Sequence, residues 1–181
     1  TFRVYESPSI LRPALMVDRN GNTLTYDRDG QGRLTKVTDV YGRFTTVAYE
    51  NGMVKTLGDQ GGRTVTYCYD IQGRKTSEVG PEGTTGYLYE EGTGRIARII
   101  YPNGSFRRYA YDTQGRVTLE ASDNDEEKLT YVYESTRTVI TDADFKVTYR
   151  EHINVAGADR PSKVTDPRGG VTILGYDGNL N

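Results

Sequence analysis

The sequence predicts an all-β fold of tandem β-hairpins chained into a long, twisted antiparallel strip. Three observations predict it. First, the 181 residues include 23 Thr, 15 Tyr and 21 Gly, with no Trp. Thr and Tyr suit a pleated surface, and Gly suits turns. Second, turn signals recur twice in every stretch of about 21 residues, leaving segments of about six residues, the length of a strand rather than a helix. Third, these segments alternate. Val65, Tyr67 and Tyr69 oppose Thr64, Thr66 and Cys68, and Leu129, Tyr131 and Tyr133 follow the same rule, as do Arg107, Tyr109 and Tyr111. Successive side chains of a strand point to opposite faces, so each Tyr pair shares one face.

Along the chain, residues 1–17 include Pro8 and Pro13, fit the repeat poorly, and read as a degenerate repeat or an edge cover. Residues 18–181 hold about seven to eight repeats. The first marker is Tyr-x-Tyr-Asp-x-x-Gly-Arg, clearest at Tyr67 to Arg74 and Tyr109 to Arg116. It recurs with changes at Tyr26 to Arg33 and from Tyr87 and Tyr89 to Gly94 and Arg95. Its second-Tyr slot falls at Arg28, Tyr49, Tyr69, Tyr89, Tyr111, Tyr133, Glu151 and Tyr176. The second marker alternates with it and reads Asp-x-x-Gly or x-Pro-x-Gly. Examples are Asp18 to Gly21, Asp39 to Gly42, Asp59 to Gly62, Gly80 to Gly83, Tyr101 to Gly104 and Asp166-Pro167-Arg168-Gly169. Two copies lack the glycine, Asp123 to Glu126 and Asp142 to Phe145, and must turn without its positive-φ freedom. After each Gly-Arg the alternation weakens. Leu34 and Val37 are three apart, which a bulge, a twist or burial on both faces would each explain. Residues 116–156 contain no Gly or Pro, so a helix competes there. Lys128 to Tyr133, Thr136 to Thr141 and Lys146 to Tyr149 alternate and are rich in Thr, Val and Tyr, and they read as strands.

Composition narrows the function. The net charge of −2, from 23 basic and 25 acidic residues, gives no electrostatic footprint for nucleic acid. The longest apolar runs, such as Ala14 to Val17, fall far short of the ~20 residues of a spanning helix, so no membrane insertion by this segment is expected. Cys68 and His152 are the single Cys and His. An internal disulfide and a cysteine-rich zinc site are thereby excluded, and no Gly-x-Ser-x-Gly elbow is present. No cofactor, metal site or catalytic residue is assigned.

The registered Tyr-x-Tyr-Asp-x-x-Gly-Arg and Asp-Pro-x-Gly strings resemble the YD repeat of the RHS family. The best matches are Tyr67, Tyr69, Asp70, Gly73 and Arg74; Tyr87, Tyr89, Gly94 and Arg95; Tyr109, Tyr111, Asp112, Gly115 and Arg116; and Asp166, Pro167 and Gly169. The resemblance covers residues 18–181. It implies a β-strip that spirals into a hollow shell, as in bacterial polymorphic toxins, toxin complexes, wall-associated proteins and animal teneurins. It also implies a non-catalytic container around a C-terminal toxin or passenger domain, in a protein that is secreted, extracellular or delivered through a secretion system. Implied partners are neighbouring repeats of a longer chain and the enclosed passenger. The family's self-cleaving core continues Asp-Pro-x-Gly with Leu. Here Gly170 follows Gly169, so autoproteolysis is not transferred. The eight hairpins are expected to be a segment of a larger shell.

Each conspicuous residue also has a plain structural reading. The Tyr ladder, including Tyr109 and Tyr111, would serve as a carbohydrate- or protein-binding adhesion face, or simply as cross-strand packing. Arg33, Arg74, Arg95 and Arg116 read as turn residues paired with the Asp or Glu near each Tyr. Asp123 to Glu127 reads as a solvated hairpin tip, His152 as a weakened repeat and Cys68 as a small filler. Open edges would favour an edge-mediated homodimer.

Overall fold

The structure is a computed structural model that describes residues 13–155 and 157–176, together with the backbone of 2–5. The described residues form seventeen strands and no helix. The chain divides into two compact units, residues 1–86 and 87–181. In the first, β1 (Phe2–Tyr5), β2 (Pro13–Val17), β3 (Thr23–Arg28), β4 (Leu34–Asp39), β5 (Phe44–Glu50), β6 (Met53–Asp59), β7 (Thr64–Tyr69), β8 (Lys75–Gly80) and the start of β9 (Gly83–Tyr89) each pair antiparallel with the next. In the second, the end of β9 pairs with β10 (Ile96–Ile100). The meander then runs through β11 (Phe106–Tyr111), β12 (Val117–Ser122), β13 (Leu129–Tyr133), β14 (Arg137–Asp142), β15 (Val147–Val155), β16 (Ala158–Thr165) and β17 (Val171–Ile173). The helix that competes over residues 116–156 does not form. Thr, Val and Tyr on alternate positions give this stretch two faces, as a strand requires.

The weak alternation after Arg33, Arg74 and Arg116 is caused by a bulge. Asp27 faces Lys36 and Arg28 faces Leu34, leaving Thr35 extra. The same slip leaves Lys55 extra opposite Tyr49, Thr76 opposite Tyr69 and Thr118 opposite Tyr111. One extra residue in β4 shifts the phase, so Leu34 and Val37 need not obey period two.

The two turn markers prove to be one turn. In the copies that begin with Asp, its carbonyl accepts from the residue three on and its amide donates to the carbonyl four on. Tyr101 does the same for Gly104 and Ser105, whereas Gly80 pairs directly with Gly83 across a two-residue turn. These distances are 2.8 and 3.0 Å at Asp29 and 3.0 and 2.9 Å at Asp39. Gly73 and Gly115 sit at φ 78° and 85°, a region open to glycine and costly for other residues. Where glycine is missing, Phe145 takes its place at φ 61°. The reading of Asp123 to Glu126 as a glycine-less copy is corrected. That turn starts at Ser122, whose carbonyl accepts from Asp125 at 3.3 Å, and Asp125 itself holds φ 61°. A short polar side chain such as Asp tolerates that conformation better than Glu126 would. Asn51 and Gly52, at φ 51° and 81°, close β5 and β6 with the two-residue loop favoured in hairpins.

Burial is shallow. Ala121 is the one fully buried hydrophobic among the described residues, and none of their large side chains is fully buried. The accessible surface is 12283 Å², against about 8,800 Å² expected of a folded monomer of this mass.

Candidate functional site

The feature that recurs with the repeat is a linked Asp, Arg and Tyr. Asp70 Oδ1 accepts from the amides of Gln72 and Arg74 at 3.0 and 2.9 Å, and Oδ2 accepts from Arg74 Nε at 2.7 Å. Asp29 and Arg33 repeat this, as do Asp112 and Arg116. So do Asp39 with Arg43 and Asp59 with Arg63 in the opposite turns. The bonds hold these carboxyls below the ordinary range. At Asp29 and Asp112 the Arg amide contributes most. At Asp59 the guanidinium of Arg63 leads. At Asp70 partial desolvation pulls upward, and the amide and guanidinium of Arg74 together overcome it.

Held by its Asp, or for Arg95 near Glu90, the Arg lies over a Tyr of the following hairpin. Arg33 is 4.5 Å from the Tyr49 ring, Arg95 5.5 Å from Tyr111 and Arg116 4.2 Å from Tyr133. Each Tyr then donates its hydroxyl to the carbonyl just after that Arg. Tyr49 reaches Leu34 at 2.9 Å, Tyr111 reaches Ile96 at 2.9 Å and Tyr133 reaches Val117 at 2.7 Å. Tyr69 reaches Val54 at 2.8 Å and Tyr176 reaches Pro161 at 2.6 Å. Arg28 replaces the Tyr in its slot, and its Nη2 reaches the equivalent carbonyl of Pro13 at 3.3 Å. Burial pushes the Tyr111 hydroxyl above its ordinary pKa, so it remains a donor. Each such bond contributes about 1 kcal/mol.

Other residues singled out in the sequence fall in or beside this lattice. Gly94 and Arg95 close a longer turn in which Arg95 is 3.9 Å from Glu90. Asp166 makes the common turn, accepting from the Arg168 and Gly170 amides at 2.8 Å each, with Gly169 at φ 85° and Pro167 inside the turn. Tyr67 lies under Lys75 at 5.7 Å, and Tyr87 and Tyr89 sit in β9. Tyr109 stands directly opposite Glu120. Cys68 is half-buried and reduced. His152 Nε2 is 2.9 Å from Thr138 Oγ1. The acidic run folds back onto β11, with Arg108 bonding Asp125 at 2.5 Å and Arg107 bonding Glu127. Arg107 also holds Glu120 at 2.5 Å. Among the described residues no three of His, Cys, Asp and Glu gather to hold a metal.

Sequence reasoning missed the carbonyl acceptor, because backbone oxygens leave no residue signature. The constant offset of 15 or 16 residues is visible only after one hydroxyl has been placed.

This arrangement ties neighbouring hairpins together within each unit. The RHS Repeat family model matches residues 12–43 and 91–128. No curated protein matches the chain in sequence. Among solved structures, a TcdB2-TccC3-Cdc42 crystal structure superposes with a TM-score of 0.63 at 19% identity, over 87% of this chain and 10% of that one. The Photorhabdus luminescens Tc holotoxin pore with a TccC3 variant superposes with a TM-score of 0.62 at 19% identity, over 84% of this chain and 9% of that one. The chain thus spans about a tenth of the chains it resembles. The chain carries RHS Repeat matches in both units, and its registered hairpins share the fold of these larger chains.

Proposed function

We propose that the chain is a structural wall segment of an RHS-repeat shell that encloses a C-terminal toxin or passenger domain in a secreted or delivered protein. In this reading it is not catalytic, and its partners are the neighbouring repeats and the enclosed passenger. The observation that carries it is the Tyr hydroxyl bonded to the backbone of the preceding hairpin at five positions, Tyr49, Tyr69, Tyr111, Tyr133 and Tyr176. Such nearest-neighbour coupling extends a sheet without a central core. The large exposed surface fits a wall whose faces are covered by other material.

The test is limited proteolysis of the natural gene product. Protection of a non-repeat C-terminal domain while the repeats are intact, with cleavage once they are opened, is the expected result. A passenger cut at the same rate with and without the repeats, or a product holding no further domain, would overturn the proposal.

A further inference from the structure

Arg98 and Arg108 stand directly opposite each other on β10 and β11, with Ile100 opposite Phe106 two residues along. Directly opposed residues share a face, with Cβ atoms about 4.5–5.5 Å apart, and like charges in that position repel. Arg98 lies over the Phe106 ring at 4.2 Å and has no acidic partner among the described residues. Arg108 donates from Nη2 to Asp125 Oδ1 at 2.5 Å. On its other side Arg108 faces Ala121, and Ala110 faces Leu119 beyond it, so the registered pairs of β10 to β12 bring no other charge to this face. Arg107, the next residue on β11, lies on the opposite face and is held by Glu120 and Glu127.

We propose that Arg98 and Arg108 form a binding site for a doubly charged oxyanion, a phosphate group, and that the Asp125 carboxylate is its built-in competitor. The site is independent of encapsulation. Charge selects the ligand. Two guanidiniums against one carboxylate leave a positive charge uncompensated, and a dianion balances both. Shape agrees with charge, because each planar guanidinium offers paired N–H groups that match two phosphate oxygens. The Phe106 ring holds the Arg98 plane in place, so less ordering is needed when the anion arrives. The competitor is easily displaced. Asp125 sits on a turn with its side chain 45% exposed, at a φ of 61° that costs a residue with a Cβ. Glu127 bonds Arg107 on the far face, which keeps the acidic turn anchored when Asp125 lets go.

The test is calorimetric titration of the 181-residue chain with inorganic phosphate. It is run at about pH 8 and fixed ionic strength, so that the probe is a dianion and screening is constant. Asp125→Asn, whose new side chain tolerates positive φ, should bind at least tenfold more tightly than the parent. Asp125→Gly, also at ease there, should do the same. Adding Arg98→Gln to Asp125→Asn should weaken binding at least tenfold. Adding Arg63→Gln, which removes an exposed guanidinium paired with Asp59, should change it less than twofold. Phosphate should raise the melting temperature of Asp125→Asn and leave that of the Arg98→Gln double variant unchanged. Repeating the titration with N-acetylphosphoserine amide names the source. Tighter binding than phosphate supports a phosphorylated segment as ligand, and weaker binding supports the free ion. Equal affinity in the parent, Asp125→Asn and Asp125→Gly would overturn the proposal and leave Asp125 a charge balance. Equal losses from Arg98→Gln and Arg63→Gln would overturn it too, because general charge attraction would then account for the binding.

Discussion

Replacing Tyr111 by Phe tests the inter-hairpin lattice with the smallest change available. The ring remains beside Arg95, 5.5 Å from its guanidinium carbon, and only the hydroxyl that donates to the Ile96 carbonyl at 2.9 Å is removed. That carbonyl is half-buried, so the loss should approach one net hydrogen bond, about 1 kcal/mol. With a urea slope of about 2 kcal/mol/M, the midpoint should fall by roughly 0.5 M. Tyr133→Phe frees a different carbonyl, that of Val117. The double variant should lose about 2 kcal/mol, and a departure from the sum measures coupling through Val117, which stands opposite Tyr111. Tyr41, 79% exposed at a turn tip, is the control, and Tyr41→Phe should leave the midpoint unchanged. The assay is urea unfolding followed by far-ultraviolet circular dichroism. If both lattice variants unfold at the same urea concentration as Tyr41→Phe, the hydroxyl bonds do not hold the hairpins together and the argument for a coupled wall fails.

Three further outcomes are expected. Phe145→Gly should raise stability by about 0.5–1 kcal/mol, because a side chain at φ 61° and 87% exposed gives up strain and loses little burial; a lower urea midpoint would contradict this. Gly115→Ala should cost about 1–2 kcal/mol, since φ is 85° and a Cβ would come within 2.7 Å of the Arg95 guanidinium; thermal melts decide it. Asp29, Asp59, Asp70 and Asp112 are held below the ordinary carboxylate value. Their contribution is therefore present above the unfolded pKa of about 3.9 and is lost as the pH falls through the lower folded values. Urea midpoints should be level from about pH 5 to 7 and drop below about pH 4. A drop centred near pH 6 would contradict this.

The strands were legible because their signals are local. Asp70 to Arg74 encodes its turn through Asp, Gly and Arg at fixed offsets, and Leu129 to Tyr133 encodes its two faces by alternation. Substituted copies were harder to read. Arg28 stands in a Tyr slot, yet its guanidinium reaches the same kind of carbonyl. Ser122 starts a turn that the sequence seemed to start at Asp123, because either residue offers a side-chain oxygen to the turn and only the backbone settles which one does.

By itself, the sequence determined the hairpin unit, its period and the placement of most turns, since each depends on residues close together in the chain. The tertiary structure decided the rest. It showed that Thr35, Thr76 and Thr118 are bulge residues, that Tyr hydroxyls reach back 15 or 16 residues to a backbone oxygen, and that Val132, Tyr149 and Val171 share one exposed row. Register is the physical reason. A slip of one residue between paired strands leaves the local pattern untouched but moves a whole strand's side chains to the other face, so only the pairing itself fixes which residues meet.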